Sequence, residues 1–341
     1  MYHFCTLFDS YYLPYFLAMY HSIALNCEED EDFEIHTFCM DEKSEIYLTE
    51  QIQNHHLKIK VVSQDKLIGF FPQLYKIKKE RSMVEFYFSC SPFICKYVLD
   101  NNPEYSHITY LDADLLFFNS PKLVYNEIGS SSVTIIEHKF YGWGKKYLKY
   151  GRFNVGWITF KSDENAKSCL NQWFKDCEEW CFDYYDIEGQ RFGDQKYLDK
   201  WEAEFKGIKV LKQKGANLAP WNAGQYKISI NSSGKIQVDE DQLVFYHFAS
   251  FKRVDDNRFT TNLSRYLARP SKVVKENIYS YYLKQVFGYQ KDVADFFNQK
   301  SEQDLKRNRK LVNVSSSKMK LTAYISSFSR WFFNDYIKVK Y

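Results

Sequence analysis

Over its first 210 residues the chain alternates short β-branched or aromatic runs with stretches of helical periodicity. That alternation narrows the fold to an α/β sheet covered by helices. Strands are expected at Tyr2–Phe8, 33–40, 57–62, His107–Leu111, Val133–Glu137, 155–160 and 243–248. Helices are expected at 14–25, 44–54, 80–99, 166–180 and 194–205, with Pro92 breaking or kinking the 80–99 helix. Beyond about Phe251 the pattern turns largely helical. A boundary therefore falls between a domain of residues 1–255 and a helical, basic and aromatic extension of residues 256–341.

The 341 residues are 45% apolar and 26% charged, which argues against a disordered chain or a fibre. Aromatic residues reach 19%, with 28 Tyr and 29 Phe. No run of 18 apolar residues occurs, so no membrane-spanning helix is expected. The opening residues Met1-Tyr2-His3-Phe4-Cys5 show no basic stretch ahead of an apolar core, so a cytoplasmic protein is expected. The eight cysteines are then reduced thiols. None forms Cys-x-x-Cys, which leaves a structural zinc site little support. The net charge of +3 is unevenly spread: residues 301–341 carry nine basic and three acidic side chains. Basic charge confined to that tail argues against a nucleic-acid partner.

Three Asp-x-Asp triplets occur. Asp30/Asp32 and Asp239/Asp241 lie in polar runs and read as a solvated loop and a turn. Asp112/Asp114 is set between Ile108-Thr-Tyr-Leu and Leu115-Leu-Phe-Phe. Two carboxylates in such a run are costly to desolvate unless paired or bound to a cation. They also stand at the carboxyl end of a strand, where open α/β sheets bind ligands. A divalent cation bridging them to a diphosphate would supply the missing charge. The plain alternative is a strand end whose acids bind local backbone donors.

Other pieces are weak singly. Arg81 with Glu85 reads as a surface ion pair, Asn154 and Gly156 as turn chemistry, Asp194 as a helix N-cap and His247 as a half-core residue. In order, however, Thr6-Leu-Phe-Asp9, Arg81…Glu85, Tyr110-Leu-Asp-Ala-Asp114, Phe153-Asn-Val-Gly156, Gly193-Asp-Gln195 and Tyr246-His247 form a series over residues 1–253. That series resembles the GT-A nucleotide-sugar glycosyltransferases, especially glycosyltransferase family 8 and related bacterial enzymes of surface polysaccharides.

The resemblance implies a GT-A fold, a Rossmann-like mixed sheet flanked by helices. It implies transfer of a sugar from a nucleotide-diphosphate donor, UDP-linked, to a glycan, lipopolysaccharide or other lipid-linked acceptor with Mn²⁺ or Mg²⁺. Asp112, Asp114 and His247 would be the metal ligands, with Asp112 shared with the sugar or ribose. Thr6, Leu7 and Asp9 would hold the nucleoside, and Arg81 the diphosphate or sugar. Asn154 would line the donor or acceptor pocket, and Asp194 and Gln195 would stand beside the reacting carbon. Family 8 usually follows this histidine with a glycine and then a lysine six residues on. Here the run is His247-Phe-Ala-Ser-Phe-Lys252-Arg253, so the diphosphate contact falls to Lys252 or Arg253, or is lost. The segment Asn217-Leu-Ala-Pro-Trp-Asn222 reads equally as a packed turn or as acceptor-pocket lining.

A sugar-nucleotide pyrophosphorylase needs a glycine-rich loop after the first strand, and Phe8-Asp-Ser-Tyr-Tyr-Leu has none. A haloacid-dehalogenase-type phosphatase needs Thr or Val where Leu116 stands. The aromatic content also suits a non-catalytic carbohydrate- or nucleotide-sugar-binding protein. In the tail, residues 321–333 place Leu, Tyr, Phe and Trp at helical spacing near Lys320 and Arg330. That stripe suits either a peripheral anchor on an anionic membrane, at the inner face of the cell membrane, or a helix packed on the core.

Overall fold

The computed structural model describes residues 1–255, 258–300, 333 and 335–338. Its centre is the expected mixed α/β sheet flanked by helices. In chain order the first elements are β1 (Tyr2–Phe8), α1 (Leu13–Asn26), β2 (Phe33–Cys39), α2 (Glu42–His55), β3 (Ile59–Ser63), α3 (Gln64–Phe70), α4 (Gln73–Glu80) and α5 (Met83–Asn101). There follow β4 (His107–Leu111), β5 (Leu115–Phe117), α6 (Lys122–Ile128), β6 (Val133–Glu137), β7 (Phe153–Lys161), α7 (Glu164–Glu179) and, further on, β8 (Ile208–Leu211). Seven strands make one sheet in the order β3-β2-β1-β4-β7-β6-β8. β7 runs antiparallel to both of its neighbours, and the other pairs are parallel.

Alternate side chains of a strand point to opposite faces, and both faces here are buried. In β1, Cys5 joins the core beneath α3–α5 and α7, while Phe4 and Phe8 join the core beneath α1, α2 and α6. Pro92 does not interrupt α5, which is continuous from Met83 to Asn101. Cys90 through Cys95 are all buried, and that packing offsets the missing backbone donor. The expected helix at 194–205 is a 3₁₀ turn (Lys196–Lys200) followed by one short α-turn (Trp201–Glu204).

Beyond residue 251 the chain is less helical than its pattern suggested. Strands Lys252–Asp255 and Arg258–Thr260 form a small sheet with Ile337–Lys338. Buried Asp335 accepts hydrogen bonds from Thr260 Oγ1 at 3.1 Å, Thr261 N–H at 3.0 Å and Ser264 N–H at 3.1 Å. The helix Ser280–Lys300 lies against α1 and α2, with Tyr289 stacked on His21 and Phe296 against Tyr47. The basic aromatic segment expected at 321–333 lies outside the described residues, apart from Phe333. Among the described residues no helix is long and apolar enough to cross a membrane.

Arg81 and Glu85 are not an ion pair on the surface. Glu85 closes a capping box with Ser82 at the start of α5 and accepts the N–H of Asp183. Arg81 is buried; its Nη1 donates to Ser89 Oγ at 2.5 Å and to the Cys177 carbonyl at 2.6 Å, and its Nη2 to the Glu178 carbonyl at 2.7 Å. The guanidinium thus satisfies carbonyls that the last turn of α7 leaves open. Replacing Arg81 with Met is expected to lower stability in urea by about 2–3 kcal/mol; unchanged stability would show that these carbonyl contacts do not hold the last turn of α7.

Candidate active site

At the carboxyl ends of β1 and β4 the sheet opens into a cleft of about 820 Å³, the place and size expected for a ligand of an open α/β sheet. β4 ends at Leu111, so Asp112 is the first residue past it, and Asp114 immediately precedes β5. The strand Phe245–His247 pairs antiparallel with β5, setting His247 opposite Leu115. In that register His247 Nε2 lies 3.1 Å from Asp114 Oδ1 and 3.5 Å from Asp112 Oδ2. One ligand atom from each of the three residues falls within 4.8 Å of the others. The imidazole is 5% exposed and the Asp112 side chain 30%, so the group has a closed floor and opens to the cleft.

The residues beneath the cluster orient it. Asn154 Oδ1 accepts hydrogen bonds from His247 Nδ1 at 3.2 Å and from Gly156 N–H at 3.1 Å. An amide oxygen can only accept, so Nδ1 carries a proton; Nε2 directs a second proton toward the carboxylates, a position that a bound cation would take. A Cβ on Gly156 would stand 2.7 Å from Asn154 Oδ1, 2.9 Å from His247 Nδ1 and 3.0 Å from Asp112 Oδ2. No side chain fits there. Trp221 packs edge-on against the imidazole at 5.0 Å.

Burial foremost pushes the Asp112 carboxyl up to about 6; His247 opposes the shift and Asp114 adds to it. Burial would lower His247, but Asp114 and then Asp112 hold it above its ordinary range. Two crowded carboxylates and an imidazole nitrogen fit a divalent ion such as Mn²⁺ or Mg²⁺, and the glycine beneath them leaves the donors free to converge.

Asp194 lies in the same cleft, buried, with Oδ2 accepting from Ser91 Oγ at 2.8 Å. It does not cap a helix. Burial foremost raises its carboxyl to about 7, Ser91 opposing and Asp112 adding. Gln195 also lines the cleft and donates through Nε2 to the Tyr150 carbonyl at 2.9 Å. Leu7 and Asp9 line it as expected. Asp9 is already engaged, accepting from the N–H groups of Tyr11 and Tyr12 and from the Tyr87 hydroxyl at 3.2 Å. Thr6 and Arg81 are not among the lining residues. Thr6 is fully buried within β1, and Arg81 is held by α7 as described. Lys252 is placed as backbone in its strand, and its side chain lies outside what is described.

The segment 217–222 is a packed turn that also reaches the cleft. Asn222 closes a packed turn, its Oδ1 accepting from Ala219 N–H and its Nδ2 donating to the carbonyls of Asn217 and His138. Trp221, on the same turn, lines the cleft. Sequence reasoning missed most of the aromatic lining, Tyr12, Tyr87, Phe88, Phe140, Tyr147, Tyr150 and Tyr266 among it. Their one signal was the 19% aromatic content, which gives no position.

Two outcomes follow from this geometry. Gly156→Ala is expected to weaken Mn²⁺ binding roughly 10- to 100-fold, read by electron paramagnetic resonance of the free ion; unchanged affinity would show that the cluster does not need the glycine. Because the folded state raises the Asp194 carboxyl, the native protein is favoured below the ordinary carboxyl range and loses that advantage as pH rises through about 7. In EDTA, Asp194→Asn is therefore expected to be more stable than wild type at pH 8, by up to about 4 kcal/mol. The difference should shrink toward pH 4, and a difference independent of pH would count against a buried, raised carboxyl.

No family model matches the chain. Its sequence is 29% identical over 286 residues to the uncharacterized protein YfnD of Bacillus subtilis (strain 168), covering 83% of this chain and 88% of that protein. It is 29% identical over 263 residues to the uncharacterized protein YfnF of the same organism, covering 74% and 83%. Among solved structures it is similar to the galactosyltransferase LgtC in complex with donor and acceptor sugar analogs, with a TM-score of 0.45 and 13% identity over 64% of this chain and 76% of that one. It is similar also to mouse xyloside xylosyltransferase 1, with a TM-score of 0.45 and 14% identity over 73% and 98%.

Proposed function

We propose that this protein is a metal-dependent glycosyltransferase. In this reading residues 1–255 form the catalytic domain and 256–341 an extension, and a sugar moves from a nucleotide diphosphate, UDP-linked, to a glycan, lipopolysaccharide or capsule-type acceptor. The observation that supports it most is the convergence of Asp112, Asp114 and His247, drawn from distant parts of the chain, on one wall of an aromatic cleft.

Asp112, Asp114 and His247 would hold Mn²⁺ or Mg²⁺. When bound, the ion supplies positive charge against the diphosphate that departs as the glycosidic bond opens. Asn154 acts through His247: by accepting the Nδ1 proton it fixes which nitrogen faces the carboxylates. Leu7 and Asp9 flank the nucleoside side, and Lys252 is assigned to the diphosphate. Asp194, with Gln195 beside it, is the acid nearest the reacting carbon, and its raised carboxyl keeps it from being a fully charged repellent at neutral pH.

Calorimetry of UDP with and without Mn²⁺, followed by a screen of nucleotide sugars for slow metal-dependent hydrolysis, tests this reading. Asp114→Ala is expected to lose the metal-dependent affinity and to lower turnover about 100- to 1,000-fold, with an unchanged circular dichroism spectrum. Wild-type turnover in that variant would remove the metal assignment. UDP affinity indifferent to Mn²⁺ would favour a binding protein over an enzyme.

A further inference from the structure

We propose that Arg265 and the aromatic wall beside it form an acceptor subsite selective for a sugar that carries a negative charge, a phosphate or a carboxylate. The word acceptor rests on the glycosyltransferase reading; the preference for an anionic sugar rests on the cleft itself.

Charge in the cleft is unequal. Asp9, Asp112, Asp114, Asp183 and Asp194 line it, and Arg265 is the sole lysine or arginine among the described lining residues. Arg265 is not neutralised. Its Nε donates to the Tyr147 hydroxyl at 3.1 Å and its Cζ stands 4.9 Å from the Tyr147 ring centre, while among the described residues it meets no carboxylate. The remaining guanidinium N–H groups have no partner there, and a planar fork of that kind matches phosphate and carboxylate oxygens.

Arg265 is also removed from the metal ligands. From His247 the rings run through Trp221 (5.0 Å), Phe140 (6.5 Å), Tyr266 (6.3 Å) and Tyr147 (5.5 Å) before the guanidinium is reached. Arg265 thus makes no direct contact with Asp112, Asp114 or His247. Trp221 and Tyr266 are largely buried in that wall, so the half-buried Phe140, Tyr147 and Tyr150 are what it offers a pyranose, with the guanidinium beside Tyr147.

A second observation points the same way. The 3₁₀ segment Gly142–Tyr150, which supplies Tyr147 and Tyr150, carries exposed Lys145, Lys146 and Lys149 on its outer side. Lys146 lies over the rings of Trp143 and Tyr147, and Lys149 over Tyr150. None of the three is in an ion pair among the described residues. A positive lip outside an otherwise acidic cleft draws anionic ligands toward this end.

Binding of glucose 1-phosphate, glucuronic acid and methyl glucoside to the full chain, measured by calorimetry and saturation-transfer NMR in EDTA, tests the proposal. One or both anionic sugars are expected to bind about tenfold tighter than methyl glucoside, and whichever does identifies the charge. Arg265→Gln should abolish that preference, Arg265→Lys should keep part of it, and Mn²⁺-dependent UDP affinity should stay at the wild-type level in both. Equal affinity for all three probes, absence of binding included, would overturn the proposal. So would a preference that survives Arg265→Gln, or lost UDP affinity in that variant, which would place the guanidinium on the donor. If wild type holds the charge preference but ignores UDP and Mn²⁺, the donor reading falls and the subsite stands; the reverse pattern sinks the subsite alone.

Discussion

The site depends on two three-residue strands, Leu115–Phe117 and Phe245–His247, finding each other in one register. Three ladder pairs are a weak bond by themselves. Burial holds them: Leu115, Leu116, Phe117, Phe245 and Tyr246 are all essentially inaccessible. The Phe245 ring packs 5.4 Å from both Phe117 and Trp157. Tyr246 shares a hydroxyl hydrogen bond with Tyr279, which donates in turn to the Thr261 carbonyl. A slip of one residue would turn His247 away from the aspartates and bring Tyr246 to their side. Apolar packing, through register, therefore decides whether a cluster of charges exists at all.

That cluster is expensive for the fold. Asp112 and Asp194 are both raised by burial before any neighbour is counted, so ionising them at neutral pH works against the native state. The fold tolerates this because the surrounding sheet is over-determined by two large cores. A cation that binds the folded chain and not the unfolded one returns part of the loss by mass action. Ion affinity and fold stability are then one thermodynamic quantity seen from two sides.

How much of this could be read from the chain depends on whether a residue's role is local. Tyr2–Phe8, His107–Leu111 and Val133–Glu137 were readable to the residue, because β-branched and aromatic runs with turn residues at both ends leave little choice. Asp112 and Asp114 were readable because acids inside an apolar run violate the pattern around them. The surface ion pair read at Arg81 and Glu85 failed for the opposite reason. The partners of Arg81 are carbonyls of Cys177 and Glu178, far along the chain, and nothing in the neighbourhood of residue 81 announces them. Thr6 sits on a strand buried on both faces, so a hydroxyl that matches a binding motif is enclosed in the sheet. β5 was hidden inside the same apolar run that exposed the aspartates, since composition alone does not mark where a strand pauses for three residues and another begins.

The cleft is assembled from parts with different rules. Of its acids, Asp9, Asp112 and Asp114 stand at strand ends, where backbone pairing sets positions closely, while Asp183 and Asp194 come from loops. Its aromatic wall comes from 3₁₀ turns at 142–150 and 263–266, whose rings interlock across Gly144, a Cβ there lying 3.2 Å from the Tyr266 ring. Short 3₁₀ segments carry no long hydrophobic period, which is why this wall was invisible until the chain was folded. The division also has a physical use. A cleft of uniform charge accepts an elongated ligand in either direction. One that offers Asp112 and Asp114 at one point and, at another, a guanidinium that meets no carboxylate among the described residues penalises the reversed orientation through both charges at once, and so selects direction without needing a contact at every atom.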